Sequence, residues 1–369
     1  MSTGNFSEET CGNKVRVDFE VIDTQWVTPG EKLTYHGWPT LANVGGDKLA
    51  IVCSGDREAH ICPFGKVLLY ESSDKGKTWS APRVLADGPL DDRDAGLIVT
   101  SAGTWLVNYF TSTYFAALNT AENTPPHWKE REDAINLSLL KEEHGFFMMR
   151  STDQGKTWSK KYRIPVNNVH GPVVLKDGSL LYCGRGYSGN CLQAAGFAPD
   201  VVAMRSTDDG LTWEELSRFK GVYRDGNTEY NLNIWHELHC IEAEDGTIIM
   251  QIRYSSATWQ LDSADGGRTW SNLRRVCGGF PSHLMKLSDG RLLMSYGYRA
   301  ENYGNRCRIS SDNGKSWSEP MLLSRNSPST DLGYPSTVEL SDGTLVTVWY
   351  ELRPELKVAS LRCVRWKLK

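Results

Sequence analysis

Apolar and polar positions alternate in short runs along most of the chain, and the runs come in pairs. WPTLANVGGDKLAIVCSG (38–55), DAGLIVTSAGTWLVNYFTS (94–112), HGPVVLKDGSLLYCGRG (170–186), HELHCIEAEDGTIIMQIR (236–253), FPSHLMKLSDGRLLMSYGYR (280–299) and YPSTVELSDGTLVTVWYE (334–351) follow one plan. Each sets two runs rich in Val, Ile, Leu and aromatics around a polar, Gly-bearing turn, the local signature of a β-hairpin. We call the two strands A and B.

A second repeat follows each of the first five hairpins: SSDKGKTWS (72–80), STDQGKTWS (151–159), STDDGLTWE (206–214), SADGGRTWS (263–271) and SSDNGKSWS (310–318). Runs such as KVLLYES (66–72) and GFFMMRS (145–151) flank it and predict strands C and D. Four antiparallel strands repeated six times predict an all-β fold, a six-bladed β-propeller formed by residues 1–369 as one unit. The sixth hairpin is followed only by LKVASLRCVRW (356–366), and VRVDFEVI (15–22) is a strand without a hairpin, so the two are expected to join and close the ring.

Within the second repeat, Asp74, Asp153, Asp208, Asp265 and Asp312 are suited to accept N–H bonds inside the C–D turn. The glycine two residues on permits positive φ, and the Trp packs between blades. Five equivalent carboxylates spaced round a ring cannot converge on one substrate. The repeat therefore reads as structural, with calcium or sugar binding as the lesser alternative. The C–D and A–B turns share one face of the ring, so the chemistry is expected on the other, where A strands begin and B strands end.

Residues at those ends are unusually ionisable: His36, Trp38, Arg57, Glu58 and His60 in blade 1; Asp91, Asp92, Arg93 and Asp94 in blade 2; His170 and Arg185 in blade 3. Blade 4 contributes His236, Glu237 and Arg253, blade 5 Arg299, and blade 6 Tyr334 and Glu351. Strand ends meet solvent and are often charged, but half of the eight histidines fall at these few positions. Arginines from several blades point to an anionic ligand, which a guanidinium meets through paired charge-assisted hydrogen bonds. Glu237 and Tyr334 suggest a phenol nucleophile with its base.

The Ser-x-Asp-x-Gly-x-Thr-Trp repeat is the Asp-box, and with six blades the chain resembles the sialidase (neuraminidase) superfamily over nearly its whole length. Glu237, Arg253 in MQIR, Arg299 in SYGYR and Tyr334 in DLGYPS are similar in order and spacing to the family's glutamate, second and third arginines and tyrosine nucleophile. The resemblance implies an exo-acting glycoside hydrolase that releases a terminal acidic sugar, most simply sialic acid, and needs no cofactor or metal. Arg253 and Arg299 would bind the substrate carboxylate, Tyr334 would attack the anomeric carbon and Glu237 would be its base. His36, Trp38, Glu58, His60 and His236 are expected to line the substrate.

Two departures stand out. Sialidases enter their first blade with Arg-Ile-Pro, whereas this chain has His36-Gly37-Trp38-Pro39, leaving Arg57 or Arg93 to replace the missing arginine. The family's acid, an Asp in the loop after the first B strand, has no counterpart in GDREAHICPFGKV. Asp94, Asp92 or a histidine such as His170 is expected to take that part. Two other readings stay open: a lyase or hydrolase acting on uronic-acid glycans, and a propeller that binds glycans without turnover.

Composition narrows the partners. With a net charge of −4 and no Lys/Arg-rich run, neither nucleic acid nor an anionic membrane is expected as partner. No stretch approaches the roughly 18 apolar residues of a membrane span, and the N-terminus lacks a secretory pattern, which predicts a cytoplasmic protein. Nine cysteines without CxxC spacing, several inside strand-like runs, read as buried, reduced thiols. His36, His60, His170 and His236 lack metal-ligand spacing, so no metal is predicted. Finally, residues 113–145 form the longest inter-strand segment, with a Pro-Pro break before a helix-like stretch; on the substrate face it would act as a lid.

Overall fold

The computed structural model describes residues 15–30, 34–118, 124–193 and 195–369. Blade 1 is built from Tyr35–Asn43, Leu49–Arg57, Lys66–Ser72 and Arg83–Ala86, each strand antiparallel to the next. Blade 2 repeats this with Asp91–Val99, Trp105–Ser112, Phe146–Ser151 and Tyr162–Arg163. Blades 4 and 5 begin at Trp235–Glu242 and Ser282–Lys286 and keep the same order. In blade 3 the A strand is broken into Val166–Asn167 and Val173–Val174, both paired to Leu180–Tyr187. Blade 6 takes its fourth strand from the N-terminal end: Phe19–Trp26 pairs with Val358–Leu368, as expected, and ties the ring shut.

Six apolar clusters hold the blades together, one at each blade interface. Val52 and Leu69 of blade 1 meet Leu97, Val107 and Trp105 of blade 2 in one of them, and Leu293 and Ile309 of blade 5 meet Leu345 and Trp349 of blade 6 in another. The tryptophan of each repeated turn enters the interface with the preceding blade: Trp158 joins the cluster of blades 1 and 2, Trp270 that of blades 3 and 4, and Trp317 that of blades 4 and 5. The buried Trp317 contributes roughly 1.5–3 kcal/mol, and the half-buried Trp158 and Trp270 contribute less.

The repeated turns share one hydrogen-bond pattern. In the first, Ser72 Oγ accepts from Gly76 N at 2.9 Å and donates to Asp74 Oδ1 at 2.8 Å, while Asp74 receives the Thr78 N–H at 2.9 Å and hydroxyl at 2.6 Å. The same set recurs at Asp153, Asp208, Asp265 and Asp312. Lys75 of this turn pairs with Asp47 and Asp342 in the A–B turns of blades 1 and 6, so both kinds of turn lie on one face. These carboxylates are consumed by their own backbone.

Of the described cysteines, Cys53, Cys62, Cys183, Cys240, Cys277, Cys307 and Cys363 are buried, Cys191 is half-buried, and all are free thiols. Among the described residues, no helix is long and apolar enough to cross a membrane. The segment 113–145 carries three short helices, Tyr114–Leu118, Pro126–Asp133 and Leu137–Glu143, the second starting directly after Pro125. Residues 119–123 of that expected lid lie outside the described residues.

Candidate active site

Four A strands break their ladders at the same place. The register shifts between Gly37 and Thr40, Arg93 and Gly96, His236 and His239, and Gly333 and Ser336. Inside each bulge sits a non-glycine residue in the left-handed region: Trp38 (φ 55°), Asp94 (48°), Glu237 (48°) and Tyr334 (52°). Such a backbone costs on the order of 1–3 kcal/mol per residue and persists only where surrounding structure fixes it. A bulge also re-aims one side chain out of the strand's alternation. Here it sends four side chains into one pocket of about 530 Å³ at the ring's mouth. Blade 3 has Gly171 (φ 83°) at the corresponding point and offers no side chain there.

At the centre of the pocket the Tyr334 hydroxyl donates to Glu237 Oε1, and Arg253 donates to both Glu237 oxygens at 2.8 Å. Burial holds the Tyr334 phenol well above its ordinary pKa, with the charge of Glu237 adding to the effect. Burial would also raise Glu237, but the charge of Arg253 and the phenol's hydrogen bond outweigh it and keep the carboxylate ionised. A protonated phenol thus faces an ionised acceptor.

Three guanidinium groups surround this pair. Arg299 donates to Leu332 O at 2.8 and 3.1 Å, and both Arg299 and Arg253 stand over Phe280, at 5.1 and 4.3 Å from its ring centre. Arg93 is held by Asp91 at 3.2 Å and by His60 O at 3.1 Å, 4.4 Å over the Trp38 ring. Beside it, Asp94 is raised to about 6 by burial and by Glu237, against the opposing charge of Arg93. One of its oxygens has no hydrogen-bond partner among the described residues.

Of the residues expected from sequence, Trp38, His60, Arg93, Asp94, His236, Glu237, Arg253, Arg299 and Tyr334 meet in this pocket. Five others do not. Arg57 is fully buried and grips Asp91 through two bonds of 2.6 and 2.9 Å, so it anchors Arg93 instead of meeting substrate. Asp92 alternates away from Asp91 and Arg93 along the strand, and its carboxylate receives Gly88 N at 2.9 Å. His36 is buried with Nδ1 2.9 Å from Thr34 O and Nε2 3.9 Å from Asp56. Glu58 faces the helical insertion, where it receives His127 Nε2 at 2.9 Å and Trp128 Nε1 at 2.6 Å.

His170 is the fifth. It falls between the two pieces of the broken A strand of blade 3 and drops into the central channel, 5.3 and 4.9 Å from the rings of His239 and His283. That channel opens as a cavity of about 640 Å³ that includes residues of the A–B turns. Burial, reinforced by the neighbouring imidazoles, depresses the His170 pKa far below its ordinary value. Arg185 and Glu351 are also occupied, by Ala198 O and Arg362. Of the four histidines named in the metal argument, His60 and His236 line the pocket, and His36 and His170 lie outside it.

Sequence reasoning missed Asp331, Tyr35, Tyr350, Phe110 and Phe197. Tyr350, Phe110 and Phe197 line the pocket, while Asp331 accepts hydrogen bonds from Tyr35, at 3.1 Å, and from Tyr350, at 3.0 Å. Phe110 and Tyr350 lie within runs that read as ordinary core strand, Tyr35 and Phe197 lie outside the repeated runs, and nothing in TDLGYPS marks Asp331.

A family model described as the BNR repeat-like domain matches residues 134–347, more than half of the chain. The chain belongs to that family. No curated protein matches this BNR repeat-like chain significantly. Among solved structures it is similar to a protein of unknown function from Dyadobacter fermentans, at 20% identity and TM-score 0.74, covering 95% of this chain and 99% of that one. It is also similar to the NanB sialidase from Streptococcus pneumoniae, at 13% identity and TM-score 0.63, over 90% of this chain and 68% of that one. The intramolecular trans-sialidase from Ruminococcus gnavus, in complex with oseltamivir carboxylate, matches at 13% identity and TM-score 0.60, over 90% and 94%. The expected sialidase-like propeller is thereby established for this BNR repeat-like protein at the level of the fold.

Proposed function

We propose that the protein is an exo-acting, retaining glycoside hydrolase that releases a terminal acidic sugar, with sialic acid as the substrate. The observation that carries this reading is the Tyr334–Glu237–Arg253 chain of hydrogen bonds in a pocket with two further arginines. Arg93, Arg253 and Arg299 take the substrate carboxylate. An anionic substrate disfavours a carboxylate nucleophile, whereas a neutral phenol approaches without repulsion. Ionising a free phenol at pH 7 costs about 4 kcal/mol, and Glu237 removes that cost by accepting the proton as the C–O bond forms. The likeness to NanB and to the Ruminococcus gnavus enzyme supports the substrate class. Buried free thiols favour a reducing, cytoplasmic setting.

Tyr334→Phe and Glu237→Gln test the reading on a sialylated oligosaccharide. Turnover is expected to fall roughly 10²–10⁴-fold in each. Wild-type protein stopped in mid-reaction should carry the mass of one glycosyl group, and Tyr334→Phe should carry none. Full turnover by Tyr334→Phe would rule out the phenol as nucleophile.

A further inference from the structure

A second hydrogen-bonded pair stands at the pocket's edge between blades 1 and 6, with His60 lining the pocket and Asp331 behind it. His60 Nδ1 lies 3.0 Å from Asp331 Oδ1. Asp331 also receives the hydroxyls of Tyr35, at 3.1 Å, and Tyr350, at 3.0 Å. Burial would raise this carboxyl, but the bond and charge of His60 and the two hydroxyls outweigh burial and hold it ionised. The Tyr35 hydroxyl oxygen also lies 2.8 Å from His60 Nδ1; with its one hydrogen given to Asp331, that oxygen and the ionised carboxylate both accept, so the ring hydrogen sits on His60 Nδ1. Nε2 is thereby left as the working atom of the ring. It has no partner among the described residues, and the side chain is 46% exposed within the pocket wall.

The placement of this pair differs from that of Asp94. Asp94 sits in an A-strand bulge like those that carry Glu237 and Tyr334, whereas His60 lies on the loop after the B strand of blade 1. His60 and Tyr334 each stand edge-on to Trp38, with ring centres 5.0 and 6.4 Å from the indole. Its loop is fixed as well: Arg57 and Arg93 both donate to His60 O, at 3.2 and 3.1 Å. An imidazole locked by a carboxylate through Nδ1, open at Nε2 and anchored by its backbone is equipped to move a proton at a defined point.

Building on the retaining reading above, we propose that His60 is the acid and base for the leaving group and that Asp331 is its positioning residue. In the first step the Tyr334 oxygen bonds to the anomeric carbon and its proton passes to Glu237. The bond from the anomeric carbon to the leaving oxygen breaks, and that oxygen takes the Nε2 proton of the His60 imidazolium. In the second step water attacks the anomeric carbon and gives a proton to His60 Nε2. The Tyr334 oxygen departs and recovers its proton from Glu237. One water is consumed per glycoside.

The test compares two leaving groups. A sugar alcohol needs protonation to depart, whereas 4-nitrophenolate does not. His60→Ala is expected to lose 100-fold or more in kcat/KM on a sialylated oligosaccharide and less than 10-fold on the 4-nitrophenyl sialoside. Asp331→Asn should show the same selectivity with a smaller loss, because the imidazole remains. Equal losses on both substrates, or none, would overturn the role of His60. Tyr334→Phe separates the two levels of the argument: if it keeps full turnover on the aryl glycoside, the retaining reading itself is wrong. A wild-type protein inert toward both substrates would overturn that reading and, with it, the role of His60.

Discussion

Replacing Asp92 by Asn separates a charge that the fold tolerates from the carboxyls that the pocket uses. The Asp92 carboxyl is buried, and its pKa is raised from an ordinary 3.8 to about 7, first by burial and further by Asp91, against the Gly88 N–H and Lys161. The folded protein therefore binds more protons than the unfolded chain between about pH 4 and pH 7. Stability linked to this group is complete below about pH 4 and is lost as the pH rises through about 7. At 1.36 kcal/mol per pH unit the loss approaches about 4 kcal/mol at pH 8. Unfolding entropy near 2.1 cal/mol/K per residue gives roughly 0.8 kcal/mol/K for this chain, so the effect is on the order of 5 °C in Tm. Asn can accept the Gly88 N–H as Asp does but cannot ionise. Thermal melts of both proteins from pH 4 to pH 8 should show the variant gaining on wild type by about 5 °C across that range, whatever constant offset the amide brings. A difference that stays flat with pH would refute the argument, and a collapse of turnover in the variant would return Asp92 to the catalytic set.

Other substitutions probe the supports of the site. A Cβ on Gly65 would lie 2.0 Å from Arg57 Nη1 and 2.1 Å from Asp91 Oδ1; Gly65→Ala is expected to lower stability by roughly 3 kcal/mol in chemical denaturation, because it parts a fully buried ion pair. Arg93→Ala should raise KM for a sialylated oligosaccharide about 10- to 100-fold, since a charge-assisted bond contributes about 1.5–3 kcal/mol, and an unchanged KM would remove Arg93 from carboxylate binding. Ser151→Ala deletes the acceptor of Gly155 N, at 2.8 Å, on the opposite face. It should cost about 1 kcal/mol in denaturation and leave kcat/KM unchanged.

The architecture was legible because a strand's period of two and a glycine turn are local properties. Leu49, Ile51 and Cys53 point to one side of the second strand and Ala50 and Val52 to the other, and the two sets join different interface clusters. Closure by 15–22 was legible for the same reason: a strand without partners must find one. The pocket was harder. Nothing about Trp38, Asp94, Glu237 or Tyr334 alone announces positive φ. A signal was available at two of the four: Pro39 and Pro335 directly follow Trp38 and Tyr334 inside their A strands, and proline in a strand marks an edge or a bulge. Asp92 and His170 were misplaced because adjacency in sequence is not adjacency in space. Alternation turns Asp92 away from Arg93, and the broken ladder of blade 3 sends His170 down the channel. Asp331 was invisible because its partners Tyr35, His60 and Tyr350 come from distant strands and loops.

The central claim is that Tyr334 attacks the anomeric carbon of a terminal sialic acid. The measurement that tests it most directly is proton NMR of the protein mixed with a sialylated oligosaccharide, following the free sugar's anomeric signals from the first minutes. The account predicts that the α anomer appears first and converts slowly to the β form. Release of the β anomer first would contradict the tyrosine nucleophile, and absence of any release would contradict sialic acid as the substrate.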